Sequence, residues 1–160
     1  MNAFGHDVDP DTHLHDPLAL LADWLDRPAG SPPLLTTLAT VDDDGAPDAR
    51  TVMLNAFDGV RLSFHSDTRA SKVTQLATDP RAALVVVWPE DARQLVAHGD
   101  VVRADDADEA HPDLAPPPTW VCFHLEPRRL TFWRGDDEGP STRDAYVRTE
   151  DGWSHRRLPG

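Results

Sequence analysis

Apolar and polar positions divide this chain into short alternating runs more than into long helical stripes. Leu38, Ala39 and Val41 lead into the turn signal Asp42-Asp43-Asp44-Gly45, and Arg50 to Phe57 form a second run that stops at Asp58-Gly59. A third run, Val60 to Phe64, ends in Ser66-Asp67-Thr68, whose side-chain oxygens favour turns and helix N-caps. Helical spacing occurs twice. Asp16 and Pro17 suit a cap and first turn, with Leu18, Leu21, Ala22 and Leu25 on one face up to Pro28 and Gly30. Ser71 to Ala77 reads as a shorter helix that Asp79-Pro80 stops. Ala82 to Trp88, rich in valine, predicts a strand covered on both faces. Arg93 to Ala104 alternates Leu95 and Ala97 against Gln94, Val96 and His98, with a bulge or a close backbone approach expected at Gly99. Trp120 to Leu125 alternates too, Pro127 breaks it, and Arg129 to Trp133 resumes. Ala145 to Thr149 and Trp153 to Leu158 close the chain around Glu150-Asp151-Gly152. About seven strands and two helices predict a mainly β fold, a closed or split antiparallel barrel with flanking helices.

Composition narrows what such a barrel can do. The 160 residues suffice for one well-cored domain. With 28 acidic against 15 basic residues and a formal charge of -13, nucleic acid and anionic membranes are not expected partners. The longest apolar run, Ala82 to Trp88, falls far short of the roughly 20 residues of a membrane helix. Cys122 is the single cysteine, and Met1 to Pro10 lack a basic region followed by an apolar one, so a reducing cytoplasm is the expected setting.

Several candidate chemistries can be weighed on residue types alone. His13 and His15 sit two apart in a polar, frayed N-terminal stretch without the further ligands a closed metal site needs. Asp42 to Asp44 lack the twelfth-position glutamate of a calcium loop. Cys122 and His124 share a strand face, yet a strand cysteine is more often a buried small hydrophobe than a nucleophile. An anion site is better supported. Lys72 is the only lysine against fourteen arginines and opens a helix, where free N–H groups favour phosphate. Ser66, Ser71 and Arg50 are near enough in a hairpin-plus-helix arrangement to converge with it. The same residues admit a plainer arrangement, a surface lysine with Arg50 paired to Asp48 or another carboxylate.

From about Leu34 to the C-terminus, three blocks occur in a characteristic order: ATVDDDGAPDARTVMLNAFD, then FHSDTRASKVTQLATDPRAALVVVWPEDARQLVAHGDVV, then LTFWRG with TRDAYVRTEDGWSHRRLPG. Together they resemble the pyridoxamine 5'-phosphate oxidase family of FMN-binding split barrels. The polar composition of 1–15 reads as a flexible tail before a single domain over 16–160, and the resemblance implies that this domain binds FMN and forms a homodimer with the flavin between subunits. It further implies that Arg50 binds the FMN phosphate and that Thr51, Val52, Met53, Leu54 and Asn55 lie along the flavin. His65 and Ser66 would contact the cofactor, Lys72 with Ser71 would stand at the phosphate, and Gln94 would contact the ring. Trp133 and Arg143 would reach across from the partner subunit.

Departures from the family pattern bear on the reaction. Asn55 and Ser71 replace a lysine and an arginine, and Gly139 and Ser141 stand where an arginine and a histidine hold the substrate. The expectation is an FMN-dependent oxidoreductase acting on an unidentified small molecule, the resemblance retaining the flavin pocket but not the pyridoxamine phosphate pocket, with no residue marked as catalytic beyond His65 as a candidate for proton transfer. A flavin-binding carrier, sensor or storage protein without turnover, an authentic pyridoxamine 5'-phosphate oxidase, and a deazaflavin or haem in place of FMN remain alternatives.

Overall fold

The computed structural model describes residues 16–105 and 117–159. The His13/His15 pair and most of the acidic, proline-rich stretch expected as a loop lie outside them. The elements are α1 (Pro17–Leu25), β1 (Leu34–Val41), β2 (Pro47–Phe57), β3 (Leu62–Asp67), α2 (Ser71–Thr78), β4 (Arg81–Trp88), a 3₁₀ turn (Pro89–Asp91), β5 (Arg93–Arg103), β6 (Trp120–Arg134), β7 (Thr142–Thr149) and β8 (Gly152–Pro159). All strand pairings are antiparallel, in the order β3-β2-β1-β4-β5-β6-β7-β8. A further pairing of β3 with β6 closes the first six strands into a barrel. The mainly β barrel expected from the alternating runs is what the chain forms.

The strand count is eight among the described residues, against about seven expected, and the runs 120–125 and 129–133 form one continuous strand, β6. Pro127 does not end the strand as expected. It sits at a register shift, with His98 opposite Arg129 and Gly99 opposite Pro127, so Arg128 is the extra residue of a bulge and the missing proline N–H falls where the ladder is already interrupted. Gly99 is required there. A Cβ on it would lie 2.0 Å from the Glu126 carbonyl oxygen. The bulge is also where the barrel splits: residues 120–125 of β6 pair with β3, whereas residues 129–134 pair with β7.

Three other expectations are corrected. The buried stripe of α1 is Pro17, Leu20, Leu21 and Trp24, one position out of phase with the leucine spacing. Trp24 sets the phase, because its ring meets Phe132 at 5.0 Å and Trp88 at 5.7 Å, both edge-on, and the largest side chain has most area to bury. Second, α2 is capped by Ala70, with no side-chain cap bond, while Asp67 accepts the Arg69 backbone N–H at 2.9 Å. Third, β4 is covered on one face only. Leu84 and Val86 enter the core, but Val87 is 50% exposed, and it shares that outer sheet surface with the paired Leu35 and Met53. The core itself runs through Leu38, Val52, Leu54, Phe64, Leu95, Leu125, Leu130 and Phe132. Among the described residues no helix is long and apolar enough to cross a membrane, and no group of three His, Cys, Asp or Glu could hold a metal ion.

Candidate functional site

A second irregularity positions the site. On β2, Leu54 pairs with Phe64 and Ala56 with Ser63, so Asn55 is an extra residue that the ladder does not use. Around it lies a cavity of about 560 Å³, within the usual range for small-molecule sites. Thr51, Val52, Met53 and Asn55 from β2, His65, Ser66 and Asp67 from β3, Lys72 from α2, Leu35 from β1, and Pro117 and Trp120 line it. Seven of the residues expected at a cofactor are therefore brought together: Thr51, Val52, Met53, Asn55, His65, Ser66 and Lys72.

Lys72 is half-buried and has no hydrogen bond or ion pair among the described residues. Burial, and then the nearby Arg50 charge, lower its pKa, while Asp67 opposes them. The Asp67 carboxylate is engaged elsewhere. Arg69 grips it through Nε at 3.0 Å and Nη2 at 2.7 Å, and the Thr119 hydroxyl donates at 3.2 Å. The hydrogen bonds from Arg69 hold Asp67 well below the usual carboxylate range. Ser66 is buried, its hydroxyl 3.4 Å from the Asp67 carbonyl oxygen. Asn55 accepts the His65 backbone N–H at 3.0 Å, and its Oδ1 is 2.9 Å from His65 Nδ1.

Arg50 does not line this cavity. Its Nη1 donates to the Leu38 carbonyl at 3.3 Å and to Thr40 Oγ1 at 2.6 Å, and its Nη2 donates to Asp48 Oδ2 at 2.6 Å and Gln75 Oε1 at 2.9 Å. Four of the five guanidinium donors are thus engaged within the chain. The plainer arrangement, Arg50 paired with Asp48, is present. Leu54 belongs to the core, and Ser71 is exposed at the first turn of α2.

Gln94, Trp133 and Arg143 lie elsewhere. Val87, Gln94, Trp133, Arg143 and Leu158 are register partners in succession across β4 to β8, a single row on the outer sheet surface. Arg143 has no hydrogen bond or ion pair among the described residues. Cys122 is fully buried, and His124 Nδ1 lies 2.8 Å from the Ser63 hydroxyl, so the two form no exposed nucleophile pair. Asp67, Gln75, Leu35 and Trp120 were not anticipated. Leu35 and Trp120 are apolar walls indistinguishable in sequence from core residues, but Gln75 carried a signal, as a polar residue one position before the buried Leu76 on a short helix.

Known proteins are similar to this chain in sequence and in fold. A pyridoxine/pyridoxamine 5'-phosphate oxidase of Caulobacter vibrioides is 28% identical over 188 aligned positions, covering 89% of this chain and 84% of that protein. The dihydrophenazinedicarboxylate synthase of Pseudomonas chlororaphis is 29% identical over 185 positions, covering 89% and 83%. Among solved structures, PhzG from Burkholderia lata 383 in complex with tetrahydrophenazine-1-carboxylic acid superposes with a TM-score of 0.79 at 20% identity, over 99% of this chain and 98% of that one. A pyridoxamine 5'-phosphate oxidase-related, FMN-binding protein from Nostoc punctiforme PCC 73102 gives 0.69 at 22% identity, over 79% and 87%. The pyridoxamine 5'-phosphate oxidase family profile matches residues 31–134, about two thirds of the sequence, and the chain belongs to that family.

Proposed function

We propose that the chain is an FMN-dependent oxidoreductase that works as a homodimer on a small, non-phosphorylated molecule. The observation that carries this reading is the convergence of seven expected cofactor positions on one cavity whose polar end holds Lys72, which has no hydrogen bond or ion pair among the described residues. The residues fit the group. Val52, Met53, Leu35 and Trp120 offer an apolar bed for a flat ring, and Lys72 with the Ser66 hydroxyl offers a cation and a donor for a phosphate. Arg50 contributes charge behind Lys72, and its committed donors make it a weaker direct ligand than Lys72. When bound, FMN supplies two-electron redox chemistry, and the protein binds, orients and shields it.

Dimerisation is supported by the outer sheet surface. Val87, Leu35 and Met53 are exposed there, beside the row of Gln94, Trp133 and Arg143, and a second copy laid on this surface would cover the apolar groups and bring that row to the neighbouring cavity. As to substrate, the loop between Trp133 and Arg143 carries Asp136, Asp137 and Glu138, with Gly139 and Ser141 where the resemblance places cations. Such a loop repels a phosphate. The names of the phenazine-related relatives make planar, reduced ring compounds the first class to screen. The lone buried Cys122 suits a reducing compartment, and we place the protein in the cytoplasm.

The test is the absorption spectrum of purified protein, with the released cofactor identified by mass. Bound FMN that a reductant bleaches and an acceptor restores is the expected result. Apoprotein that fails to take up FMN at micromolar concentration overturns the reading, a deazaflavin or haem replaces the cofactor assignment, and tight FMN without turnover across a donor panel makes the protein a flavin carrier.

A further inference from the structure

The core face of β4 to β7 ends in a row of register partners, Trp88, Arg93, Arg134 and Thr142. Each lies two residues from a buried position of its own strand, Val86, Leu95, Phe132 and Asp144, so the row shares the face that those residues turn inward. Trp24 of α1 packs on it. Its ring centroid lies 5.2 Å from Arg93 Cζ and 5.8 Å from Arg134 Cζ, both within cation–π reach, and the ring meets Trp88 edge-on. Two guanidinium groups thus stand opposite each other on adjacent strands, an arrangement that like charges resist. Neither has a hydrogen bond or an ion pair among the described residues, in a chain where acidic side chains outnumber basic ones by 28 to 15. Asp144, two residues along β7 from Thr142, is already held by His155 and Arg157. Arg134 Nε is moreover buried without a hydrogen-bond partner. Buried donors in folded proteins are paired with protein, water or an ion, and a bare N–H costs most when it belongs to a charged group.

We propose that Arg93 and Arg134 form an oxyanion site, in which one carboxylate or phosphate group bridges the two guanidinium groups and accepts from Arg134 Nε. The Thr142 hydroxyl, on the same face, is a further donor to it. Packing on Trp24 does not account for the row by itself. A guanidinium over an indole uses its flat face and keeps its N–H edge for a planar, two-oxygen partner. One bound oxyanion offsets the repulsion between the two arginines and fills the bare N–H at once, and the buried Trp24 wall keeps water from one side of it. None of these residues lines the cavity around Lys72, so the site is independent of whether that cavity holds a cofactor.

The buried N–H is its own reporter. Proton–nitrogen correlation spectra of protein labelled with ¹⁵N-arginine resolve the Nε–H groups, and an Arg134→Lys sample identifies the Arg134 resonance. Inorganic phosphate, titrated at neutral pH and constant ionic strength, should move that resonance along a saturable curve with its midpoint at millimolar concentration or below. Sodium acetate, titrated in parallel, shows whether a carboxylate takes the same place. Lys72→Ala should give the same phosphate curve as the native protein, which separates this site from any phosphate held at Lys72. Arg93→Gln should weaken phosphate about 10- to 100-fold, in line with a hydrogen bond to a charged group. Saturation by phosphate, by acetate or by both supports the proposal and names the oxyanion. A resonance that moves no further with either anion than with chloride overturns it, and this native titration decides even if the Arg93 variant fails to fold. A shift abolished by Lys72→Ala overturns it too, as does unchanged phosphate affinity in a folded Arg93→Gln.

Discussion

Gln75 holds Arg50 in place. Its Oε1 accepts from Arg50 Nη2 at 2.9 Å and from the Thr40 hydroxyl at 2.6 Å, while its Nε2 donates to Asp48 Oδ2 at 2.9 Å. One buried amide therefore joins α2 to β1 and β2, and Arg50 is part of the fold before it is part of any site. Gln75→Leu should destabilise the ligand-free protein by roughly 1–3 kcal/mol, the cost of leaving such groups unpaired, read as a lower urea midpoint at unchanged slope. The Gln75 hydrogen bond, with the Arg50 charge behind it, also keeps the Asp48 carboxyl below its ordinary pKa of 3.8. The associated stability is complete above that value and is lost as pH falls through the lower folded-state pKa. The difference between native protein and Gln75→Leu should accordingly shrink in acid.

Asp67 and Lys72 face one cavity with opposite charges, and Arg69 decides how they act together. With Arg69 in place the Asp67 carboxylate is neutralised from outside, and an anion meets Lys72 alone. Lys72→Ala should weaken FMN by about 10- to 100-fold, in line with one hydrogen bond to a charged group, while leaving riboflavin, which lacks the phosphate, unaffected. Arg69→Ala should weaken FMN several-fold by exposing Asp67 to the phosphate, and adding Asp67→Asn should recover the loss. Equal losses for FMN and riboflavin would remove Lys72 from the phosphate site.

Asp144 is the buried charge at the barrel's open flank. Its oxygens accept from His155 Nε2 at 2.8 Å and from Arg157 Nε at 2.9 Å, and the side chain is 3% exposed. Burial alone would raise its pKa, but the hydrogen bonds from Arg157 and His155 outweigh burial and lower it. The sign follows: the stabilisation is present above the ordinary carboxylate pKa and disappears as pH falls through the depressed value. Asp144→Asn should lower stability by about 1–3 kcal/mol at neutral pH, with thermal melts of variant and native protein converging as pH falls below the ordinary carboxylate pKa.

The barrel was legible in the sequence because period-two alternation and Asp-Gly turns are local signals, and Leu95, Ala97 and the Gly99 bulge lie where that alternation put them. Pro127 misled, since a proline reads as a break unless a bulge in its own strand absorbs it, and only the pairing with β5 reveals that Arg128, opposite the His98-Gly99 step, is that extra residue. Trp24 misled similarly: leucine spacing favoured one helix face, and the aromatic partners that chose the other are more than 60 residues away. At the site, the order of blocks located the cavity residues on β2, β3 and α2. It did not show that Arg50 is enclosed by Asp48, Thr40 and Gln75, because a hydrogen-bond network among three separate elements has no sequence period.

The row of Gln94, Trp133 and Arg143 offers the sharpest test of the proposed dimer. If each cavity takes Lys72 from one subunit and Arg143 from the other, a Lys72→Ala homodimer and an Arg143→Ala homodimer each have two impaired sites. Mixing the two variants after unfolding and refolding produces heterodimers in which one site collects both lesions and the other collects neither. Tight FMN binding should therefore reappear in the mixture, with half the sites of each heterodimer restored, although neither parent shows it. Two differently tagged variants, purified in tandem and titrated with FMN, measure that fraction. If both residues served the same subunit's cavity, every heterodimer site would keep one lesion and no tight binding would return. If the protein were a monomer, tandem purification would recover nothing. Arg143 has no partner among the described residues of its own chain, so its substitution should leave the melting temperature of the ligand-free protein nearly unchanged, which separates loss of a cross-subunit contact from loss of fold.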